Sequence, residues 1–584
     1  MTMNSINSRL IAAGGSPQKL ARSAAMLALY GFFAVFLLWP IWQVVRVGFV
    51  GKDGHLTLTY VRLIFSNPVL VQGLINAAAV AIAVTLLCLI VSMPLAILSV
   101  RYEFPGRAVL GGLLLAPLVL PPFVGAIGVR LLLGRLGPLT VLLGMGRGAG
   151  FDWLGRFRLA GIILVEALHL YPVLLLNLQA ALANIDPAME QAAANLGAGR
   201  WTIFRRITLP LIRPGLSAGC TLTLIWSFTE LGTPLMFDYN TITPVQIFRQ
   251  ITDIAASPLP FALVVVTLAV SAGLYLIGKA LLGRSSDAAT TKAATAAIVR
   301  PLRSWRAAAA ATPFVVTLLL ALLPHISVVL TSLTTTGQWY RSVLPRSFTL
   351  SHYGAALLDD LAMPSVQNSV LYAGGATVVA MAVGLGAAIT IARGNRRHAA
   401  IIDILCMLPL AVPGLVLAFG YLAVSVSLQQ RYGASLPLWL NVQEQPVLFL
   451  IIAYATRRLP YVVRSAVAGL QQTPRDLELA GANLGASRLR VLRKITIPLI
   501  GANLIAGALL AFAFSLLEVS DSLILAQRSA YFPITRAILE LAQRLGDGLY
   551  VAAALGVWAM LLLALALSAA YGLMGRRLGA MFRT

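Results

Sequence analysis

The chain has 584 residues, of which 59% are hydrophobic and 11% are charged, and its mean hydropathy is +0.85. Soluble globular proteins keep roughly 25% charged residues, so this composition excludes a soluble protein and indicates many membrane spans. The formal net charge of +24 matches the excess of Lys and Arg in cytoplasmic loops of membrane proteins, and we therefore expect no nucleic-acid partner.

Twelve apolar runs each approach the ~20 residues that a helix needs to cross a bilayer. The first run is too long for the apolar region of a signal peptide, so we expect an uncleaved first span. If the N-terminus lies inside, the segments between spans that fall in the cytoplasm are rich in Lys and Arg, which predicts cytoplasmic N- and C-termini. The outside loop 130–158 is an exception and carries five Arg. The runs lie at about 24–46, 69–100, 108–132, 159–183, 213–236, 260–283, 309–333, 365–392, 400–428, 446–471, 501–527 and 549–575.

A polar insert follows the fourth run, and residues 190–212 of it read EQAAANLGAGRWTIFRRITLPLI. Just before it, Asp186 and Pro187 predict a helix N-cap and a first helical residue, because the cap oxygen accepts from unpaired N–H groups and Pro has no N–H. Gly197 fits the left-handed position that ends a helix. We therefore predict a helix–glycine–helix elbow on the membrane surface.

Outside the membrane, two further segments, at 243–256 and 533–545, predict short surface helices that each begin near a Pro. They have two interpretations. Either they form a docking or gating surface that faces a binding protein, or they are interfacial helices that only seal the rim of the helix bundle.

Residues 285–308 predict a cytoplasmic linker, because the stretch 285–300 is rich in Ala, Thr and Ser. It separates a first membrane half, 1–284, from a second, 309–584. The second half repeats the insert at 478–500 as ELAGANLGASRLRVLRKITIPLI, with 14 of 23 positions identical at an offset of 288 residues. In this copy Thr473 and Pro474 predict the N-cap and the first helical residue, and Asp476 lies at capping-box spacing from Thr473. Gly485 corresponds to Gly197 of the first insert.

The repeat extends beyond the inserts. Six spans in each half bring both halves into the membrane from the same side, so the repeat is parallel, about an axis along the membrane normal. The predicted fold class is an all-α polytopic membrane protein with twelve transmembrane helices in two parallel six-helix repeats. The aligned pairs are Asn76 and Asn368, Arg101 and Arg393, Pro117 and Pro409, and Pro121 and Pro413, all at an offset of 292, with Pro244 and Pro533 at 289.

The two inserts resemble the cytoplasmic EAA loop of binding-protein-dependent ABC importer permeases. In that loop a Gly lies shortly after Glu-Ala-Ala, and Ile-x-Leu-Pro follows about ten residues later. The matching residues are Ala192, Ala193, Gly197, Ile207, Leu209 and Pro210 in the first insert and Ala480, Gly485, Ile495 and Pro498 in the second. At the position of the family's Glu the chain has Gln191 and Leu479, with the acid one residue earlier at Glu190 and Glu478.

The resemblance implies a type I importer permease fold in a bacterial inner membrane. It implies two ABC ATPase subunits, each receiving one elbow as a coupling helix, and a periplasmic solute-binding protein on the outer face. The residues expected to couple to the ATPase are Glu190, Ala192, Ala193, Gly197, Arg205, Pro210, Glu478, Ala480, Gly485, Arg493 and Pro498.

The chain is expected to be a permease and not an enzyme. It contains no Gly-x-x-x-x-Gly-Lys-[Ser/Thr] sequence to cradle ATP phosphates, so ATP and Mg would be bound by the partner ATPase. Its five His are scattered and show no metal-ligand spacing. We therefore expect this chain to bind no cofactor and no metal.

Ionisable residues also repeat inside the spans, where they are costly and usually have a partner or a function. At the offset of 288, His169 corresponds to Arg457 and Glu230 to Glu518. In each half the basic residue and the acid lie 14 or 15 residues from the inner ends of neighbouring spans, or about 21–22 Å at ~1.5 Å per residue. The residues of each half can therefore meet, either as ion pairs that lock the spans or as part of a substrate path.

The substrate is less well defined than the machinery. The stretches APLVLPPFVGAIGVRLLLGR at 116–135 and RRLPYVVRS at 457–465 resemble ferric-iron importer permeases, which makes ferric iron the first expectation. Similar permeases carry thiamine, 2-aminoethylphosphonate or polyamines. Twelve spans in parallel halves would also fit an ion-coupled secondary transporter, but such a protein has no use for two copies of the elbow.

Overall fold

The computed structural model describes residues 17–51, 54–119, 122–145, 150–251, 257–282 and 300–574. These residues are mainly helical, which confirms the predicted all-α class. A short parallel pairing joins Tyr102–Glu103 to Arg300–Pro301, so the chain after the linker is attached to the first half. Most of the predicted linker, 285–299, lies outside the described residues.

The first half contains long helices that run between short connecting ones. Its helices are Pro17–Phe33, Ala34–Leu38 (a π turn), Trp39–Gly48, Thr59–Ser66, Pro68–Arg101, Arg107–Leu113, Ala116–Val119, Pro122–Leu132, Pro138–Leu142, Trp153–Ala183, Pro187–Asn195, Arg200–Ile203, Phe204–Thr208 (a π turn), Leu209–Phe228, Gly232–Met236, Thr243–Arg249 and Leu259–Leu282.

The second half follows the same order. Its α- and π-helices are Ser304–Ser332, Ser351–Leu358, Ala362–Arg393, Arg396–Ala411, Gly414–Tyr432, Val447–Gln472, Arg475–Asn483, Arg488–Val491, Leu492–Thr496 (a π turn), Ile497–Leu499, Gly501–Leu516, Ser520–Leu525, Ile534–Gln543 and Gly548–Met574. Three 3₁₀ turns, Gly433–Ser435, Leu438–Leu440 and Ser529–Tyr531, connect them.

Seven helices in the described residues are long and apolar enough to cross a membrane, and nine spans result if each of two bent helix pairs counts as one. The bent pairs are Arg396–Ala411 with Gly414–Ser435, at 102°, and Arg488–Leu499 with Gly501–Leu516, at 76°. The run predicted at 108–132 is divided into three short helices. The chain is thus a membrane protein with two repeats, and the count of twelve spans stays a prediction.

The first span of each half packs against the other half. Ser327 donates a hydrogen bond to the Gly128 carbonyl at 3.1 Å, and Tyr421 donates one to the Phe36 carbonyl at 2.6 Å. Gly128 faces the backbone of Pro324, and Gly420 faces the backbone of Pro40. Because 128 and 420 differ by the repeat offset of 292, the two crossings are equivalent. Glycine allows the backbones to approach this closely.

Gly128→Ala is expected to destabilise the contact between the halves, because its Cβ would collide with the Pro324 carbonyl oxygen. Overpacking of this kind costs typically ~1–3 kcal/mol. The matched control is Gly111→Ala, since a Cβ there has no heavy atom within 4 Å. Thermal unfolding in detergent should show a lower Tm for the first variant only, and equal Tm values would contradict this packing.

Local chemistry predicted the first elbow correctly. The Asp186 side chain caps Pro187–Asn195 and accepts a hydrogen bond from the Ala188 N–H at 2.9 Å. Gly197 and Gly485 have φ of +83° and +81°, which confirms the predicted left-handed positions.

At the second elbow the predicted cap is wrong. The Thr473 hydroxyl donates to the carbonyl of Gly469 at 3.0 Å, in the preceding helix, so it is turned away from the helix that it was expected to cap. Pro474 occupies the N-cap position of Arg475–Asn483 and has no side-chain hydrogen bond to offer. The capping box with Asp476 is therefore not formed.

The two outside segments are helical, at Thr243–Arg249 and Ile534–Gln543, but most of their residues are buried. The prediction of surface helices is wrong in that respect, and residues 252–256 lie outside the described residues. The Arg536 guanidinium lies over the rings of Phe248 and Phe532, at 5.4 and 5.1 Å from their centroids. The two halves therefore meet through these segments.

Candidate functional site

The first elbow is tied to its own half by the acid that precedes the EAA-like sequence. Glu190 forms an ion pair with Arg101, the last residue of the long helix Pro68–Arg101. Thr208 donates to the same Glu190 oxygen at 2.6 Å, and Arg101 donates to the Thr208 hydroxyl at 3.2 Å. The elbow and the end of the span are therefore joined by a closed polar triad.

The second elbow repeats the two contacts to the acid with a looser geometry. Arg393 ends Ala362–Arg393 and forms an ion pair with Glu478 at 3.4 Å, while Thr496 donates to Glu478 at 3.4 Å. Arg393 also donates to the carbonyls of Leu470 and Thr473, each at 2.9 Å. The sequence had shown that Arg101 and Arg393 align, but they were interpreted only as charges of the inner loops.

Next to these triads, the opposite faces of the elbows are apolar and exposed. Leu196 and Leu484 are 89% and 88% exposed, and Trp201 and Leu489 are 71% and 74% exposed. Large apolar side chains grouped in this way on an exposed surface are typical of an interaction site. Gln191 and Leu479, at the family's Glu position, are on the exposed side, so the acid before each of them faces inward.

The other expected coupling residues divide between these two faces. Half-buried are Glu190, Glu478, Ala193 and Pro210, and exposed are Ala192, Gly197, Arg205, Ala480, Gly485, Arg493 and Pro498.

Each elbow contains a π turn directly before its proline. The N–H of Leu209 bonds to the carbonyl of Phe204, and the N–H of Ile497 bonds to that of Leu492. Pro210 or its equivalent follows at once, and a Pro inside a helix clashes with the carbonyl four residues earlier. The wider turn accommodates the ring, and π turns frequently mark functional sites.

A cavity of about 160 Å³ lies between the two halves. Its walls contain all four ionisable residues that the repeat had singled out inside the spans, together with two others. The first half contributes Glu166, His169 and Glu230, which form the first wall. The second half contributes Arg457, Arg458 and Glu518, which form the second wall.

The spans that carry Glu230 and Glu518 are broken at these residues. Leu209–Phe228 ends before Glu230 and Gly232–Met236 begins after it, while Gly501–Leu516 and Ser520–Leu525 flank Glu518. Glu230 accepts from the N–H groups of Gly232 and Thr233, at 3.1 and 3.4 Å. The continuous spans predicted at 213–236 and 501–527 are corrected accordingly.

On the second wall the acids and bases are balanced. Arg457 and Glu518 are in contact at 2.5 Å, and Arg458 forms an ion pair with the other oxygen of the same carboxylate. Arg457 also lies 3.3 Å from Asp521, which is fully buried. Two arginines therefore face two carboxylates, and the sequence had left Arg458 and Asp521 without a role.

On the first wall the contacts are of a different kind. His169 Nδ1 lies 2.7 Å from the carbonyl of Pro117, so Nδ1 carries the hydrogen because a carbonyl only accepts. Glu166 accepts a hydrogen bond from Ser227, while its other oxygen is buried without a hydrogen-bond partner. Sequence reasoning left Glu166 without a role, because its equivalent in the other half is Tyr454.

No group of three or more His, Cys, Asp or Glu among the described residues is arranged to hold a metal ion.

Comparison with known proteins agrees with the repeat. The model of one family, described as binding-protein-dependent transport system inner membrane component, matches residues 89–287 and again 380–579. A putative ferric transport system permease protein of Haemophilus influenzae is 26% identical over 492 residues, which are 80% of this chain and 70% of that protein. A ferric transport system permease protein of Actinobacillus pleuropneumoniae is 27% identical, over 69% of this chain and 57% of that protein.

Two other proteins are similar to part of the chain. The molybdenum transport system permease protein of Escherichia coli K12 is 36% identical over 172 residues, which cover 28% of this chain and 72% of that protein. A solved bacterial ABC transporter involved in alginate import has a chain that matches at 17% identity and a TM-score of 0.38, over 46% of this chain and 97% of that one.

Proposed function

The chain belongs to the family of binding-protein-dependent transport system inner membrane components, and we propose that as its permease it moves ferric iron across a bacterial inner membrane. In this proposal two ABC ATPase subunits bind the elbows from the cytoplasm and hydrolyse ATP with Mg. A periplasmic binding protein delivers the solute to the outer face. Both termini are then cytoplasmic.

The pair of elbows is the observation that carries the proposal. Each elbow presents exposed apolar side chains, such as Leu196 and Leu484, and is tied through Glu190 or Glu478 to the end of a long helix. A surface of this kind can bind a partner and pass its movement into the helices. An ion-coupled secondary transporter would need neither the duplicated surface nor its attachment.

The ferric cargo is supported by the extent of similarity. The Haemophilus influenzae ferric relative matches 80% of the chain, whereas the Escherichia coli molybdenum relative matches 28%, although at a higher identity of 36%. The ferric relative therefore covers parts of both halves and of the cavity between them. Molybdate is the second candidate, and thiamine, 2-aminoethylphosphonate and polyamines follow from the sequence resemblance.

Uptake into proteoliposomes tests the proposal. The chain is reconstituted with an ATPase subunit and a solute-binding protein from the same genome, and radiolabelled ferric iron and molybdate are supplied in turn. We expect ferric iron to accumulate only with ATP and with the binding protein. Accumulation of molybdate alone would contradict the cargo, and uptake driven by an ion gradient without ATP would contradict the ATPase partnership.

A further inference from the structure

The cavity between the halves has unlike walls. On the second wall, Arg457 and Arg458 pair with Glu518, and Arg457 also pairs with Asp521, which does not line the cavity, so the formal charges of the four residues cancel. This wall already has its own counter-ions. It therefore has little need of a charged ligand.

The first wall has two acids but no arginine. The repeat places His169 where the second half has Arg457, and Leu170 where it has Arg458. No Arg or Lys among the described residues forms an ion pair with Glu166 or Glu230. Glu166 accepts a hydrogen bond from the Ser227 hydroxyl, and Glu230 accepts from backbone N–H groups.

Of the two acids, Glu166 is the stronger indication that the first wall contacts a ligand. Its residue is only 1% exposed, and its Oε1 atom has no hydrogen-bond partner. A buried polar group without a hydrogen-bond partner is costly, and more so when it is charged. Glu166 lines a cavity of about 160 Å³, well above the roughly 10–15 Å³ that one water needs. The cavity is therefore large enough to admit a hydrated or chelated ion, although Glu166 Oε1 itself is buried behind the surface of the cavity.

We propose that Glu166 and Glu230 form a cation-attracting wall, which a positively charged cargo contacts as it passes through the cavity. The inference rests on the proposed function, because it requires solute to cross between the halves. Carboxylates are hard oxygen ligands and suit hard, highly charged cations. Two carboxylates on one wall form a transit contact, favourable enough for a cation to enter and weak enough for it to leave.

Two isosteric variants test the wall. Glu166→Gln and Glu230→Gln each remove a charge and keep the shape and an acceptor oxygen. Glu444→Gln is the matched control, because it makes the same change of charge at an exposed side chain that does not line the cavity. Each variant is reconstituted as the complete complex, and its initial rate of ferric-iron uptake is measured per folded protein, together with ATPase activity stimulated by the loaded binding protein.

We expect each Glu variant to import ferric iron about tenfold more slowly, the double variant to be slower still, and the control to be unchanged. Stimulated ATPase activity and Tm should remain near those of the unsubstituted chain. The inference is overturned if the double variant imports iron at the original rate. It is also overturned if uptake, ATPase stimulation and Tm fall together, because the acids would then be structural.

The cargo itself can be tested separately from the wall. If the unsubstituted chain imports radiolabelled spermidine instead of iron, and Glu166→Gln slows that uptake, the ferric proposal fails and the cation-attracting wall stands. If it imports molybdate instead, both fail, because an anion gains nothing from two carboxylates.

Discussion

Glu518→Gln and Arg457→Gln are each expected to lower the stability of the chain. Glu518 forms ion pairs with both Arg457 and Arg458, so its loss leaves two partly buried arginines with Asp521 as their remaining acid. Breaking a buried ion pair by removing one partner costs roughly 3–5 kcal/mol. Arg457→Gln should also be costly, because it leaves the fully buried Asp521 without its ion-pair partner, although Glu518 keeps Arg458. Thermal unfolding of the purified chain in detergent measures both losses.

Combining the two substitutions should recover part of the loss, since the contact is then absent from both sides. Glu444→Gln provides the control, because its partner Arg528 and Glu444 itself are 54% and 40% exposed. An exposed pair of this kind contributes about 0–1 kcal/mol. If Glu518→Gln leaves Tm unchanged and abolishes uptake, the ion pair does not lock the spans and Glu518 belongs to the cargo path.

The repeated architecture could be predicted because it depends on local patterns. Apolar runs of membrane length, Asp186 before a Pro, and glycines at the elbows each determine a conformation from a few neighbouring residues. The elbow sequence also occurs in two copies, which excludes a chance match. The prediction of Thr473 as an N-cap failed because its hydroxyl donates to the Gly469 carbonyl in the preceding helix, an alternative that local reasoning did not weigh.

The helix break at Glu518 could not be predicted in the same way, whereas Gly232 and Pro234 mark the break after Glu230 in the sequence. The segment around Glu518 reads SLLEVSDSLIL and contains no Gly or Pro, so the sequence shows no helix breaker there. The break is accompanied by tertiary contacts, in which Arg457 and Arg458 meet the carboxylate. Such contacts join residues about 60 positions apart, and periodicity does not detect them.

The repeat also concealed residues that are functional candidates in one half only. Glu166 corresponds to Tyr454, so a comparison that keeps matching charges discards it.

The contacts of the elbow acids could not be predicted from the repeat either. Arg101 and Arg393 match at an offset of 292, whereas Glu190 and Glu478 match at an offset of 288. Only the fold brings each Arg to its acid.

Gly197→Pro and Gly485→Pro are expected to uncouple ATP hydrolysis from transport while the spans remain folded. The two glycines have φ of +83° and +81°, and proline holds φ near −65°, so each elbow would have to change its bend. No heavy atom lies within 4 Å of a Cβ at either position, so the effect comes from the backbone and not from packing. Uptake should fall at least about tenfold, with Tm in detergent close to that of the unsubstituted chain.

Gly485→Asn separates backbone geometry from the loss of glycine. Asn tolerates the left-handed conformation better than other side chains, so this variant should keep most of the transport that Gly485→Pro loses. ATPase binding is measured by co-purification and coupling by the number of ATP molecules hydrolysed per solute imported. Normal co-purification and normal uptake in both proline variants would show that the elbow bend does not couple the two reactions. A proline variant that binds the ATPase and hydrolyses ATP without uptake would place the coupling in the bend itself, since the exposed apolar face of Leu484 and Leu489 is unaltered.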